Sequence, residues 1–188
     1  MRTLLPTLLA LTLALPAVPA AAGTLAGVTL PDKVDVDGQS LVLNGMGLRK
    51  KLFIKVYVGG LYLPQKERSA QKVLAADAPS RMVMHFLYGV SKDQMCEAWN
   101  EGLEANTPNA SAEVKKAFAT LCGWMGPIDE GQQLVLTYVP GKGTEVQVAG
   151  KVKGTLAGGA AVADALLATW IGPDPAPGED FKKAVLGG

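Results

Sequence analysis

Histidine is nearly missing from this chain. His85 is the only one in 188 residues, and there are just two cysteines, Cys96 and Cys122. So few ligating side chains give no basis for a protein-built metal centre, and none is expected. HExxH, CxxC and G-x-S-x-G patterns are all absent, and no cofactor is expected. "GMGLRK" has glycines, but it precedes a strand instead of a helix and lacks a P-loop lysine spacing, which argues against nucleotide binding. Asp129-Glu130, set among prolines and glycines, reads as a solvated turn. An excess of one charge is lacking too: 18 Lys and Arg stand against 17 Asp and Glu, for a net +1. That excludes the basic field of a nucleic-acid binder. No internal repeat occurs. Charged residues make up only 19%, while alanine, glycine and valine are plentiful, as in a compact chain and not a disordered one.

What is present starts with Arg2 and the apolar run "LLPTLLALTLALPAVPA", followed by small residues. This is the pattern of a secretory signal peptide with cleavage after Ala20 or Ala22. A membrane anchor is the competing reading, but the run is short and is broken by Pro6 and Pro16. No later segment resembles a span, so the expected bacterial destination is the periplasm. Residues 23–188, about 165 in all, suit a single domain with a proper core. In an oxidising compartment Cys96 and Cys122 can form a disulfide, closing a loop of about 25 residues worth roughly 3 kcal/mol. Two buried thiols are the other reading. His85 stands inside the strand-like "RMVMHFLY", and nothing marks it as a base for either sulfur.

The order of elements indicates the fold class. "KVDVDGQSLVLNG" alternates apolar and polar residues around Asp37-Gly38, a hairpin signal. "LRKKLFIKVYVGGLYL" reads as one long strand or a second hairpin. A short helix capped by Ser69 precedes the central strand "RMVMHFLYGV". Ser91 and Gln94 form a capping box for the helix "SKDQMCEAWNEGLEAN". The next helix, "SAEVKKAFATLCGWM", aligns Val114, Phe118, Leu121 and Met125. Cys96 and Cys122 border the apolar stripes of these two helices, so a bridge needs only that they pack as an antiparallel pair. A hairpin turning at Pro140–Gly143 follows, then the helix "GGAAVADALLATWIG" and a proline-rich tail with a final turn over 181–186. Strands, helices, strands, helix: this predicts an α+β protein, an antiparallel sheet with helices on one face.

One stretch does not fit plain packing. Arg49, Lys50, Lys51 and Lys55 crowd an otherwise apolar segment. On a regular strand Arg49, Lys51, Phe53, Lys55 and Tyr57 share a face. Lysines on an edge strand block aggregation, which accounts for the lysines. It accounts less well for Arg49, which follows a glycine-rich bend where backbone and ligand can approach closely.

"LNGMGLRKKLFIKVYVGGLYL", "SKDQMCEAWNEGLEAN" and "VADALLATWIG" together resemble the chalcone isomerase-like superfamily in its bacterial, secreted form. The most specific pieces are G-x-G-x-R ahead of VY-x-x-G-x-Y, and the closing LL-x-x-W-I-G. The resemblance implies an open-faced β-sandwich, a large antiparallel sheet covered by a layer of helices. Two activities occur in that family. True isomerases close a flavanone ring by adding a phenolate to an enone. Fatty-acid-binding members hold an acyl chain between sheet and helices, with an arginine and a tyrosine on its carboxylate.

Matched residue by residue, that arginine falls on Arg49 and that tyrosine on Tyr57. The polar residue near the end of the last helix falls on Thr169, and an asparagine falls on Asn100 with a shift of about one residue. The isomerase's catalytic tyrosine falls on Gln94 or Met95, neither of which is a phenol. The expected cleft walls are Phe53, Leu61, Trp99 and Phe118. Arg49 and Tyr57 would lie roughly 26 Å apart on an unbroken strand, so they meet only if the chain folds back near Lys50–Phe53. The resulting expectation is a periplasmic, non-catalytic protein that binds a small amphipathic ligand such as a fatty acid, with Arg49 at the head group. An isomerase acting on a chalcone-like enone, or an envelope protein that binds a partner and no ligand, are the alternatives.

Overall fold

A computed structural model describes residues 22–188. Apart from Ala22, the expected signal peptide lies outside the described residues. The strands are β1 (Ala22–Leu25), β2 (Val28–Pro31), β3 (Lys33–Val36), β4 (Gln39–Lys51), β5 (Ile54–Leu63), β6 (Ser80–Phe86), β7 (Gln133–Val139), β8 (Gly143–Val148) and β9 (Lys151–Leu156). The helices are α1 (Ala70–Ala75), α2 (Lys92–Asn106), α3 (Ala112–Trp124), α4 (Gly159–Ile171) and α5 (Glu179–Val185). Strands β3 to β9 form one seven-stranded antiparallel sheet in sequence order, and β1 pairs with β2 separately.

The local chemistry accounts for these elements. Asp37 and Gly38 both adopt positive φ, 54° and 78°, the geometry that a two-residue hairpin with right-handed strand twist demands. β6 is the fourth of the seven strands, and its Met82, Val83, Met84 and Phe86 are buried across both faces. The capping box of α2 is present: Ser91 Oγ accepts from the Gln94 N–H, and Gln94 Oε1 accepts from the Ser91 N–H. Each satisfies a helix-end donor that would otherwise be orphaned.

Helix α4 lies at the centre of the helical layer, with both its sheet-facing and outward-facing residues buried from Val162 to Ile171, apart from the half-buried Asp164. Its outer side packs on α2, where Thr169 meets Gly102 and Trp170 meets Trp99 edge-on at 5.3 Å. Cys96 and Cys122 are joined in a disulfide between α2 and α3, with Cα atoms 5.2 Å apart. By chain entropy this bridge stabilises the helical layer by roughly 3 kcal/mol.

Of the two readings of the segment from Leu48 to Leu63, the structure has the second hairpin, because the chain reverses at Leu52–Phe53. Two features depart from the sequence expectations. The sheet is also covered on its other face, where Val28 and Leu30 of β2 join Leu41, Leu43, Val58, Tyr62 and Val83 in a second apolar cluster. Finally, the tail forms helix α5, whose Phe181 and Val185 belong to the main core.

Candidate functional site

The reversal at Leu52–Phe53 brings Arg49 directly opposite Tyr57 in the β4–β5 ladder. Opposed residues in an antiparallel pair share one face with their Cβ atoms about 5 Å apart. Two register shifts frame this region, one between Leu43 and Gly45 and one between Arg49 and Lys50. Bulges of this kind bend a strand and re-aim its side chains. The first bulge places Asn44 in the interior, where its side-chain amide donates to the carbonyls of Glu67 (3.0 Å) and Val185 (2.9 Å) and accepts from the Glu67 N–H (2.8 Å). Asn44 therefore ties β4 to both the β5–α1 loop and the C-terminal helix. The sequence indicated only a bend there.

Two residues along from the Arg49–Tyr57 pair, Gly47 opposes Gly59. The Phe181 ring lies against this glycine strip. A Cβ at Gly47 would come within 2.8 Å of the ring, and one at Gly59 would strike its far end. Glycine is thus required for close approach here. The Tyr57 ring is held edge-on by Phe181 at 5.8 Å and tilted against Phe86 at 5.6 Å. Its hydroxyl accepts a hydrogen bond from Trp170 Nε1 at 3.0 Å.

Burial pushes the Tyr57 phenol up to about 12, against the opposing pull of the Trp170 hydrogen bond and the Arg49 charge. The phenol therefore keeps its proton at neutral pH, and that proton has no side-chain or backbone acceptor among the described residues. Arg49 is half-buried and takes part in none of the salt bridges among the described residues. Together they present a guanidinium and a phenolic donor on one face. Such a donor set suits an anion, a carboxylate above all.

The other matched positions fall elsewhere. Asn100 is exposed and lines a groove between α2 and α3 with Leu103 and Lys115. Thr169 is buried, but its hydroxyl donates to the Leu166 carbonyl at 2.7 Å and its methyl packs on Gly102. Trp170, the next residue along, is the one that reaches Tyr57. Of the four expected cleft walls, Leu61, Trp99 and Phe118 are buried core. Phe53 is not a wall: it stands 90% exposed at the hairpin tip, because the strand it was assigned to ends before it. Gln94 is engaged in the capping box, and Met95 is buried in the core.

An apolar cleft of about 310 Å³ opens at the opposite end of the same sheet face, between α1 and α4. It is lined by Leu63, Val73, Ala78, Tyr138 and Leu167 among others, with Asp164 at its edge. Its volume is at the lower end of the roughly 300–1,000 Å³ typical of small-molecule sites. The cleft narrows to a hollow of about 10 Å³ bounded by Met82, Leu136, Thr144 and Trp170, room for about one water. The Thr144 hydroxyl there is buried without a partner. Arg49 and Tyr57 do not line the cleft, but Trp170 touches both its inner end and Tyr57.

At the cleft mouth, desolvation and then the neighbouring Asp77 push the Asp164 carboxyl up to about 6 from 3.8. Asp77 itself accepts from the Tyr138 hydroxyl at 2.5 Å. An acid with a raised folded-state value favours folding below its unfolded value and loses that contribution as pH rises through the folded one. Stability should thus fall between about pH 4 and pH 6.5 through this group. Asp164→Asn should flatten that slope and raise the melting temperature at pH 7 by about 2 °C, solvent screening of the partly exposed carboxyl keeping the effect small. Urea melts of both proteins across the window check it; an unchanged slope would remove Asp164 as its source.

The fold is a meander sheet roofed by helices, with Arg49 and Tyr57 opposed on its helix-facing side and Trp170 bonded to the tyrosine. The family model described as chalcone isomerase-like matches residues 22–187, and the chain belongs to that family. A crystal structure of a fatty-acid binding protein from Arabidopsis thaliana shares the fold, with a TM-score of 0.69 over 88% of this chain and 96% of that one, at 18% identity. No curated protein sequence matches the chain.

Proposed function

We propose that this is a non-catalytic, periplasmic binding protein for a small amphipathic acid such as a fatty acid. The head group sits at Arg49 and Tyr57, and the tail runs beneath α4. The observation that carries this reading is the opposition of Arg49 and Tyr57 on the helix-facing side of the sheet, both with donors unspent among the described residues. From Tyr57 to Leu63 the β5 backbone covers roughly 20 Å, a length that suits an extended chain better than a compact ring. Under α4 that path crosses Met82 and Met84, unbranched side chains that repack at low cost. The cleft between α1 and α4 lies at the far end of this path. Where family enzymes carry a phenol this chain has Gln94 or Met95, which supports binding over ring closure. The leader-like N-terminus and the Cys96–Cys122 bridge support an oxidising, extracytoplasmic setting. The similarity to a plant fatty-acid binding protein adds to the reading at the level of the fold.

Titration of delipidated protein with lauric acid and with its methyl ester tests it directly. The acid should bind at least about tenfold more tightly, since the ester cannot form the charge-assisted contacts. Equal affinity for the two would overturn the assignment of the head group.

A further inference from the structure

The β4–β5 hairpin tip is apolar where hairpin tips usually carry Asn, Asp or Gly. Leu52 is 87% exposed and Phe53 90%, with Ile54 following at 36%. Leu52 also holds a φ of 56°, in the left-handed region that disfavours a side chain of its kind. The turn thus retains a greasy residue against its own conformational preference. Lys50, Lys51 and Lys55 flank the tip, all exposed. None of the three takes part in a salt bridge among the described residues. The chain carries no acid between Asp37 and Glu67. Tyr88, 52% exposed, stands at the root of the hairpin, since the adjacent Leu87 N–H donates to the Val56 carbonyl at 2.9 Å.

We propose that this hairpin is a membrane-docking finger. Leu52 and Phe53 enter the outer part of a bilayer, and the lysine collar pairs with anionic headgroups. Neither signal suffices alone: two apolar side chains bind weakly, and three lysines are held only within a Debye length of a charged surface. Together they give stable, reversible attachment. Tyr88, an amphipathic ring, suits the headgroup level beside them. Protection against sheet-edge aggregation accounts for the lysines but leaves the bare Leu-Phe tip without a reason. A protein partner would also bury an apolar knob, but lysine is depleted at the centre of protein interfaces, and an acid-free collar complements a negative lipid surface better. No helix among the described residues is long and apolar enough to span a bilayer, so contact of this kind would be superficial. The proposal stands apart from whatever Arg49 and Tyr57 bind.

Purified protein with its disulfide intact should co-sediment with vesicles of equimolar phosphatidylglycerol and phosphatidylcholine, and not with phosphatidylcholine alone. Leu52→Asn/Phe53→Ser should weaken that partitioning about tenfold or more, and Lys50→Gln/Lys51→Gln/Lys55→Gln should do the same. The first variant keeps the turn, because Asn tolerates the left-handed conformation, and the second touches only exposed side chains. Unchanged melting temperatures would confirm that both variants fold. Failure to sediment with the anionic vesicles would overturn the proposal. So would equal binding to the neutral ones, or binding that both variants retain. If the vesicles are ignored while the variants lose a protein partner, the finger is a protein interface instead.

Discussion

Replacement of Arg49 by alanine should lower the affinity for a long-chain carboxylic acid roughly a hundredfold, since a charge-assisted contact to a desolvated partner is worth about 3 kcal/mol. Stability should barely respond. Arg49 takes part in no salt bridge among the described residues and is only half-buried, so the melting free energy should shift by no more than about 0.5 kcal/mol. That separation of binding from stability distinguishes a ligand anchor from a structural arginine, whose loss would appear in both. Arg49→Lys refines the test. It keeps the charge but not the planar fork, and should recover part of the affinity if electrostatics dominates and little if the bidentate geometry does. Calorimetric titration of the three proteins with lauric acid, paired with their urea melts, reads both quantities. If Arg49→Ala binds the acid as the wild type does, the head group lies elsewhere.

The second large effect concerns Phe181. Its ring is 2% exposed and lies against Gly47, Gly59 and Tyr57, filling space next to the proposed head-group pair. Phe181→Ala should destabilise the fold by about 3–5 kcal/mol through the cavity it leaves. For a domain of this size that corresponds to a fall in melting temperature of roughly 6–20 °C. On the binding reading the cavity is also vacated ligand space. Saturating lauric acid should therefore restore more of the melting temperature in the variant than it adds to the wild type. Differential scanning fluorimetry with and without the acid measures both. A variant that is destabilised but gains nothing extra from ligand would show that Phe181 is plain core and that the acyl path avoids the glycine strip.

Much of this architecture was legible because local signals and global packing agree. Asp37-Gly38 specifies its turn by φ, Ser91 and Gln94 cap α2 reciprocally, and the sulfurs sit beside two apolar stripes that face each other. Where sequence reasoning fell short, local signal was weak or duplicated. The β1–β2 hairpin turns at Ala26-Gly27, with φ of 49° and 85°, and alanine is not a residue that advertises such a turn. Phe53 shares parity with Arg49 and Tyr57, but parity carries over only along an unbroken strand, and the reversal at Leu52–Phe53 breaks it. On α4 both faces are buried, so apolar periodicity cannot say whether Thr169 or Trp170 points toward the sheet. The opposition of Arg49 and Tyr57 depended on the same reversal, which the sequence permitted without specifying. Asn44 was invisible as an interior ligand of three backbone groups, because a bulge within a strand leaves no compositional mark beyond a glycine neighbour.

The strands of the main sheet pair in the order in which they are made, but the lid over the glycine strip comes from the far end of the chain. Asn44 and Val185, 141 positions apart, share a hydrogen bond across that seam. Joining β4 to α5 therefore closes a long loop, a non-local contact whose entropy cost must be met before its packing contributes. Until those two segments meet, the Tyr57 ring and the bare backbone beside it lack the cover that Phe181 gives them.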